Sequence, residues 1–263
     1  MAPRSRPRAR PRPVAPATPR PQAADGVGAM AADLALPGGH RDVVGHELRT
    51  PLNFIVGYGS LLADGAYGEL PPGAREAVAR ILDGADRLAR LVDDLLTVSQ
   101  LAGGGVPVVP APVDCGELVR GLVLEFEPQA RGLGLGLTHE APSTGPTLHT
   151  DPQRLREALR HLLGNALKFT PRGGAVHLAA AGEGRCVRFV VRDTGIGIPK
   201  ACQRRIFDRF YQVDGGLTRR YGGAGLGLAI ARGQIEALGG TIEVASEPAC
   251  GACFTVTVPV VRR

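Results

Sequence analysis

The sequence predicts an α + α/β chain, in which a helical hairpin precedes a domain of alternating helices and strands. Three observations predict it. Two long stretches carry apolar residues at helical spacings of three and four, with a Gly- and Pro-rich turn between them. A second Gly- and Pro-rich stretch, AGGGVPVVPAP at residues 102–112, closes that half. Beyond it, helical periodicity alternates with short runs rich in β-branched residues.

The first helix is expected from about Leu34 to Ala63, with Val43, Leu48, Leu52, Ile55, Val56 and Leu62 on a recurring face. Pro51 within it removes a ladder hydrogen bond and is expected to bend and loosen the helix. DGAYGELPPG (64–73) supplies the turn. The second helix, about Ala74 to Leu101, places Ile81, Ala85, Leu88, Val92 and Leu95 at alternating spacings of four and three, the seam of a bundle. One hairpin leaves much of such a seam in water, so two copies are expected to close a dimeric four-helix bundle. In the second half, a helix is expected from Cys115 to Arg131, a strand near Leu133–His139 and a helix from Pro152 to Phe169. Strands follow at Val176–Ala181 and Val187–Asp193, then a terminal hairpin over 240–260. The expected division is a disordered Arg/Pro-rich tail (1–33), the hairpin (34–102), a linker (103–112) and the α/β domain (113–263).

Charge argues against a nucleic-acid partner. The net charge is +6, but Arg4, Arg6, Arg8, Arg10, Arg12 and Arg20 against Asp25 put +5 of it in the tail. The remainder is nearly neutral. No apolar run approaches the roughly 20 residues that span a bilayer, and no apolar segment follows the basic start. The expectation is a soluble, cytoplasmic protein without a membrane segment. Five cysteines, an odd number, form no disulfide framework. Cys250 and Cys253 make a lone C-x-x-C, read as two filler positions on the terminal hairpin rather than half a metal site.

Four segments carry chemistry. In His46-Glu47-Leu48-Arg49-Thr50-Pro51-Leu52, His46 and Thr50 project from one face of the first helix. A neutral imidazole there can attack phosphorus, and Glu47 can orient it or take its proton. In His161-Leu-Leu-Gly-Asn165-Ala-Leu-Lys168, an imidazole, an amide and an ammonium share a face. An amide oxygen suits a hard cation and an ammonium suits phosphate. Asp193-Thr-Gly195-Ile-Gly197 follows a strand; its glycines admit a planar ligand and its carboxylate can accept from an exocyclic amine. Gly222-Gly223-Ala224-Gly225-Leu226-Gly227-Leu228 opens a helix whose N–H groups can meet an anion. It matches neither the P-loop nor the dinucleotide fingerprint. Each segment alone has a bland reading, as a polar helix edge or a connecting turn.

Together, in this order, they resemble the sensor histidine kinase family of two-component systems. His46–Leu52 is similar to its H box, Leu162–Thr170 to its N box and Asp193–Pro199 to its first glycine box. Ile206–Tyr211 is similar to its F box and Gly223–Leu228 to its second glycine box. The resemblance spans roughly residues 40 to 260. It implies an α/β sandwich ATP-binding domain of the Bergerat type, with a mixed sheet on one side and helices on the other. It implies that His46 is the phospho-acceptor, Glu47 its acid/base partner, and Thr50 the residue that positions water for dephosphorylation of a response regulator. It further implies Asn165 as the Mg2+ ligand, Lys168 beside the ATP phosphates and Asp193 on the adenine amine. Gly195 and Gly197 would shape the adenine pocket, and Gly223, Gly225, Gly227 and Leu228 the phosphate loop under a lid of about residues 211–222. The implied cofactors are ATP and Mg2+; the implied partners are a second copy and a response regulator receiver domain. His161 stands where the N box usually has its first asparagine, and protonated it would compete with Mg2+ between about pH 6 and 7.5. That departure supports a rival reading, an ATP-binding pseudokinase acting as a docking dimer. The family usually carries an input domain, and residues 1–40 are too short to be one.

Overall fold

The computed structural model describes residues 38–103, 107–141, 147–213 and 223–260; in the first helix, side chains are described from Glu47 onward. The expected tail and residues 214–222 of the expected lid lie outside these.

Helix α1 (Gly38–Ala63) and helix α2 (Pro72–Ala102) form the hairpin. α1 runs unbroken through Pro51. A proline this deep in a helix costs one hydrogen bond, which a long helix packed against a partner can absorb. Leu52, Val78 and Ala85 are buried between the two helices. Gly59 lets α2 come close, since a Cβ there would sit 2.7 Å from Leu82 Cδ2. Pro71–Pro72 starts α2, where the missing N–H is no loss. Phe54, Tyr58, Ile81 and Leu88 remain more than half or half exposed.

Next come strand β1 (Ala111–Asp114), helix α3 (Cys115–Leu133), strands β2 (Gly136–Glu140) and β3 (Thr147–Thr150), and helix α4 (Pro152–Phe169). β4 (Ala175–Glu183), β5 (Cys186–Asp193), α5 (Gly227–Ala237), β6 (Thr241–Ser246) and β7 (Ala252–Pro259) complete the described elements, with short 3-10 turns at Lys200–Cys202 and Arg205–Phe207. β1 and β3 pair as a small antiparallel sheet, with Ala111 opposite Thr150. Neither strand is expected from the sequence, because four residues are too few to show a period. Ala111 and Pro112, expected in the linker, are the first two residues of β1.

The main sheet has the order β2-β4-β5-β7-β6 and is mixed: β2 runs parallel to β4, the other pairs antiparallel. Alternation along β4, β5 and β7 turns Leu178, Phe189, Val191, Val256 and Val258 to one buried face. α3 and α4 cover that face with Val119, Leu122, Leu159, Leu162 and Leu163, all fully buried. The result is the two-layer sandwich expected, with one polar sheet face left to solvent. No described helix is long and apolar enough to cross a membrane.

Candidate functional site

α4 builds one wall. Asp151 caps it, its Oδ1 accepting from the N–H groups of Gln153 (3.0 Å) and Arg154 (3.1 Å), and Pro152 occupies the first turn. Leu155, Leu159, Leu162, Leu163 and Leu167 pin one face into the core. The opposite edge therefore has to face outward, and it carries Glu157, His161, Asn165 and Lys168 at spacings of four, four and three. These four line an open cleft of ≈ 2470 Å3, ample for a nucleotide. Among the described residues, no protein group hydrogen-bonds to the Asn165 amide. Lys168 Nζ lies 4.8 Å from the centre of the Phe169 ring. Burial, and secondarily Arg87, lowers the pKa of that ammonium.

β5 builds the floor. The alternation that buries Val187, Phe189 and Val191 also turns Asp193 inward at the strand end. Its Oδ1 accepts from Gly195 N (2.8 Å) and Ala252 N (3.2 Å). Among the described residues nothing donates to Oδ2. Burial raises the pKa of this carboxyl, and the two backbone bonds oppose the rise. A Cβ at Gly195 would stand 2.6 Å from Phe169 O and 2.7 Å from Asp193 Oδ1. Gly197 has φ +70, and a side chain there would collide with the Glu247 carbonyl. Sequence reasoning passes over the residues that brace this turn. Ser246 Oγ accepts from Ile198 N (2.8 Å) and donates to Gly251 O (2.6 Å), while Gln203 Nε2 donates to Ser246 O (2.6 Å). Gly251 packs so tightly on the Asp193 backbone that no Cβ fits. The lone glycine inside the expected hairpin is the signal that could have found them.

The glycine segment closes the third side. Gly223 (φ +130) faces Lys168, where an added Cβ would sit 2.6 Å from Nζ. Gly225 (φ +71) accepts through its carbonyl from Phe210 N (3.0 Å), tying the loop to the segment before it. Gly227 opens α5 beside His161 and Asn165, and no side chain caps that helix start. Its first N–H groups are thus left for an anion. Leu228, half-buried, packs on the main core. Gly222 lies outside the described residues.

α2 lies against this wall. Val98 joins Leu226 and Ile230 in a small second core, with Phe210 and Ala224 packed on it. Arg154 Nη1 donates to Gln234 Oε1 (2.6 Å), Gln234 Nε2 donates to Glu157 Oε2 (2.7 Å), and Thr97 Oγ1 donates to Glu157 Oε1 (3.5 Å). His161 Nε2 is 3.8 Å from Asp94 Oδ1. As a charged pair these two would draw the histidine pKa up and the carboxyl down. Burial does the reverse: with Arg160 adding to it, His161 is pushed down to about 4, and Asp94 is pushed up to about 6 by burial, Glu157 and Asp93. Desolvation outweighs the attraction at this distance, so at neutral pH His161 is neutral. The expected competition with Mg2+ across pH 6–7.5 is corrected accordingly: the ring is more than three-quarters covered.

His46 lies on α1, with its side chain outside the described part; Glu47 and Thr50 are exposed on the same helix. Of the described α1 residues, Arg49 lines the cleft, held to Asp93 Oδ1 of α2 through Nε (3.0 Å) and Nη2 (2.7 Å). Cys253 lies in β7 and Cys250 in the exposed turn before it, and all five cysteines are free.

At the strand end the turn of Gly195 and Gly197 lies beside Asp193, whose second carboxylate oxygen accepts no hydrogen bond among the described residues. The Lys168 ammonium and the Asn165 amide line the same cleft as the uncapped start of α5. Residues 150–262 match the family model of the histidine kinase-, DNA gyrase B- and HSP90-like ATPases, and residues 42–104 match the His Kinase A (phospho-acceptor) domain. The circadian input-output histidine kinase CikA of Synechococcus elongatus is 38% identical over 216 residues, which are 81% of this chain and 29% of that protein. The full-length structure of ShkA in complex with AMPPNP superposes with a TM-score of 0.74 at 34% identity, covering 87% of this chain and 47% of that one. ThkA in complex with the response regulator protein TrrA has the same fold, with a TM-score of 0.58 at 20% identity over 92% of this chain and 68% of that one. The chain thus spans less than a third of CikA and about half of ShkA.

Proposed function

Because this chain belongs to the sensor histidine kinases of two-component systems, which are ATP-dependent phosphotransferases, we propose that it phosphorylates its own His46 and passes the phosphoryl group to an aspartate of a response regulator receiver domain. One observation carries the reading. A carboxylate with a free oxygen (Asp193), an unengaged amide (Asn165) and an ammonium (Lys168) line one cleft, and the H-box helix reaches that cleft through Arg49.

Asp193 Oδ2 accepts from the adenine amine, while Gly195 and Gly197 keep the base against backbone. Asn165 holds Mg2+, which when bound neutralises phosphate charge and aligns the chain for in-line transfer. Lys168 and the N–H groups from Gly223 to Leu228 hold the phosphates. The His46 imidazole nitrogen attacks the γ-phosphorus as Glu47 takes its proton; the new N–P bond forms while the bond to the ADP oxygen breaks. The phosphoryl group then passes to the regulator's carboxylate as the N–P bond breaks, and the proton held by Glu47 returns to the ring, restoring a neutral imidazole. Thr50, one turn from His46, positions water for the reverse control, dephosphorylation of the regulator. The working unit is a homodimer, supported by the apolar side chains that α1 and α2 leave exposed. We assign residues 34–102 to the dimerisation and phosphotransfer hairpin; the linker expected at 103–112 shortens to 103–110, because β1 begins at Ala111, and the ATP-binding domain takes 111–263.

Incubation with γ-labelled ATP tests the kinase reading against the pseudokinase. Acid-labile, base-stable label on the protein, lost in His46→Gln while ATP binding persists, is the expected result. Stoichiometric phosphohistidine in that variant would overturn the assignment of His46, and ATP bound without label would favour the pseudokinase. Thr50→Ala is expected to keep autophosphorylation and lose regulator dephosphorylation; a parallel fall in both would make Thr50 structural.

A further inference from the structure

Along the cleft, α2 and α4 run side by side in antiparallel register. Thr97 meets Glu157 at 3.5 Å, and Asp94 meets His161 at 3.8 Å. Seven residues back on α2 from Asp94 stands Arg87; seven forward on α4 from His161 stands Lys168. Two helical turns, about 10 Å, separate each from the pair before. Arg87 and Lys168 both line the cleft, and the same register sets Arg90 level with Asn165. The hairpin thus lays two arginines along the row of residues that holds the phosphates in the nucleotide reading.

Arg87 has no local reason to be there. Among the described residues it makes no hydrogen bond and no salt bridge. Its charge acts on Lys168, a like charge, whose ammonium it disfavours. Arg90 also lacks an ion pair among the described residues, though its charge reaches Asp94. By contrast Arg49, on the same side of the cleft, is neutralised by Asp93 at 2.7 Å. Two cations lining one cleft, one of them half-buried, repel until an anion lies between them. A guanidinium is suited to that place, because its planar fork binds phosphate oxygens two at a time.

Resting on the nucleotide reading above, we infer that Arg87, supported by Arg90, grips the terminal phosphate of a bound nucleoside triphosphate from the hairpin side of the cleft. The base and inner phosphates are held by the α/β domain alone, whereas the third phosphate is shared between hairpin and domain. A triphosphate then draws α2 and α4 together, and a diphosphate does not. The site distinguishes the two forms through a residue outside the nucleotide-binding fold.

Calorimetric titration with Mg-AMPPNP and Mg-ADP tests this without turnover. Arg87 is exposed, so its replacement leaves the fold intact, which circular dichroism checks. Arg87→Ala is expected to weaken AMPPNP binding about tenfold or more, the scale of a lost charge-assisted contact, while ADP binding moves less than about twofold. Arg87→Lys should recover part of the loss, since a point charge remains, and Arg87→Glu should lose more than alanine. Equal losses for both nucleotides, or no loss for either, would overturn the assignment. The underlying reading has its own control: if wild type binds neither nucleotide, or Asp193→Asn leaves ADP binding unchanged, the nucleotide lies elsewhere and the inference falls with it. If ADP binding responds to Asp193→Asn while AMPPNP ignores Arg87→Ala, only Arg87 is misassigned.

Discussion

Asp193 shows how one side chain can be both structural and selective. Its Oδ1 holds the turn to Gly195 and the start of β7 at Ala252, while Oδ2 is left for the base. Asp193→Asn keeps one oxygen for the backbone bonds and removes the second acceptor. The expected outcome is at least about tenfold weaker adenine-nucleotide binding by titration, with a far-UV spectrum unchanged. Equal affinity would place the base elsewhere. A second residue-scale prediction concerns pH. Asp94, raised from 3.8 to about 6, favours the docked fold while protonated; that contribution is full below its unfolded pKa and lost as pH rises through about 6. Glu157, also raised by burial, acts in the same direction. His161, lowered from 6.5 to about 4, favours the fold while neutral; its contribution is full above 6.5 and lost as pH falls toward 4. The two slopes oppose each other. In thermal melts between pH 4 and 6.5, Asp94→Asn is expected to make the midpoint rise more steeply with pH than wild type, and His161→Asn less steeply. Identical slopes in the three proteins would show that neither group is desolvated.

At the scale of elements, the site is a by-product of amphipathic periodicity. α4 buries its leucines on the sheet, so its polar edge must face the cleft; β5 buries Phe189 and Val191, so Asp193 must turn inward. Damage to the core should therefore reach the site. Phe189, fully buried and central in the sheet, lies on the face that carries Asp193. Phe189→Ala is expected to cost about 3–5 kcal/mol, read as a lower midpoint in urea unfolding. A change below about 1 kcal/mol would mean that the helical layer collapses into the cavity. The Gly197 turn makes the complementary case. Its φ of +70 and the neighbouring Glu247 carbonyl leave no room for a methyl group, so Gly197→Ala should weaken nucleotide binding while altering the sheet little. Retained affinity would show that the 196–198 turn can shift without closing the slot.

At the scale of the whole molecule, the exposed apolar side chains of the hairpin demand a cover. Phe54, Ile55, Tyr58, Ile81 and Leu88 all lie at or above 46% exposure, more apolar surface than one hairpin leaves in water unpartnered. Ile55→Glu together with Leu88→Glu is expected to turn a dimer into a monomer by light scattering, with ADP binding by the α/β domain preserved. A dimer that survives both charges would locate the contact elsewhere. The residues that form secondary structure were legible from sequence because hydrophobic periodicity records them locally. The helices α2, α3 and α4 and the strands β4 and β5 follow that record to within a few residues. So does the set His161, Asn165, Lys168 and Asp193, since one helix face or strand parity places each. β1 and β3 were not legible, because four residues carry no period and their pairing joins positions 33 or more apart. Nor was the state of His161: its spacing shows that it shares a face with Asn165, but burial beneath α2 decides its charge. By itself, then, the sequence determined the order of the helices and strands, the chemistry of the four motif segments and the family they resemble, all properties of residues close along the chain. Only the tertiary structure decided which helix lies over the cleft, that Asp94 meets His161 and Thr97 meets Glu157 there, and that Arg87 lines the cleft with Lys168. Those are contacts across long separations, and desolvation and register between packed helices are set by the fold as a whole.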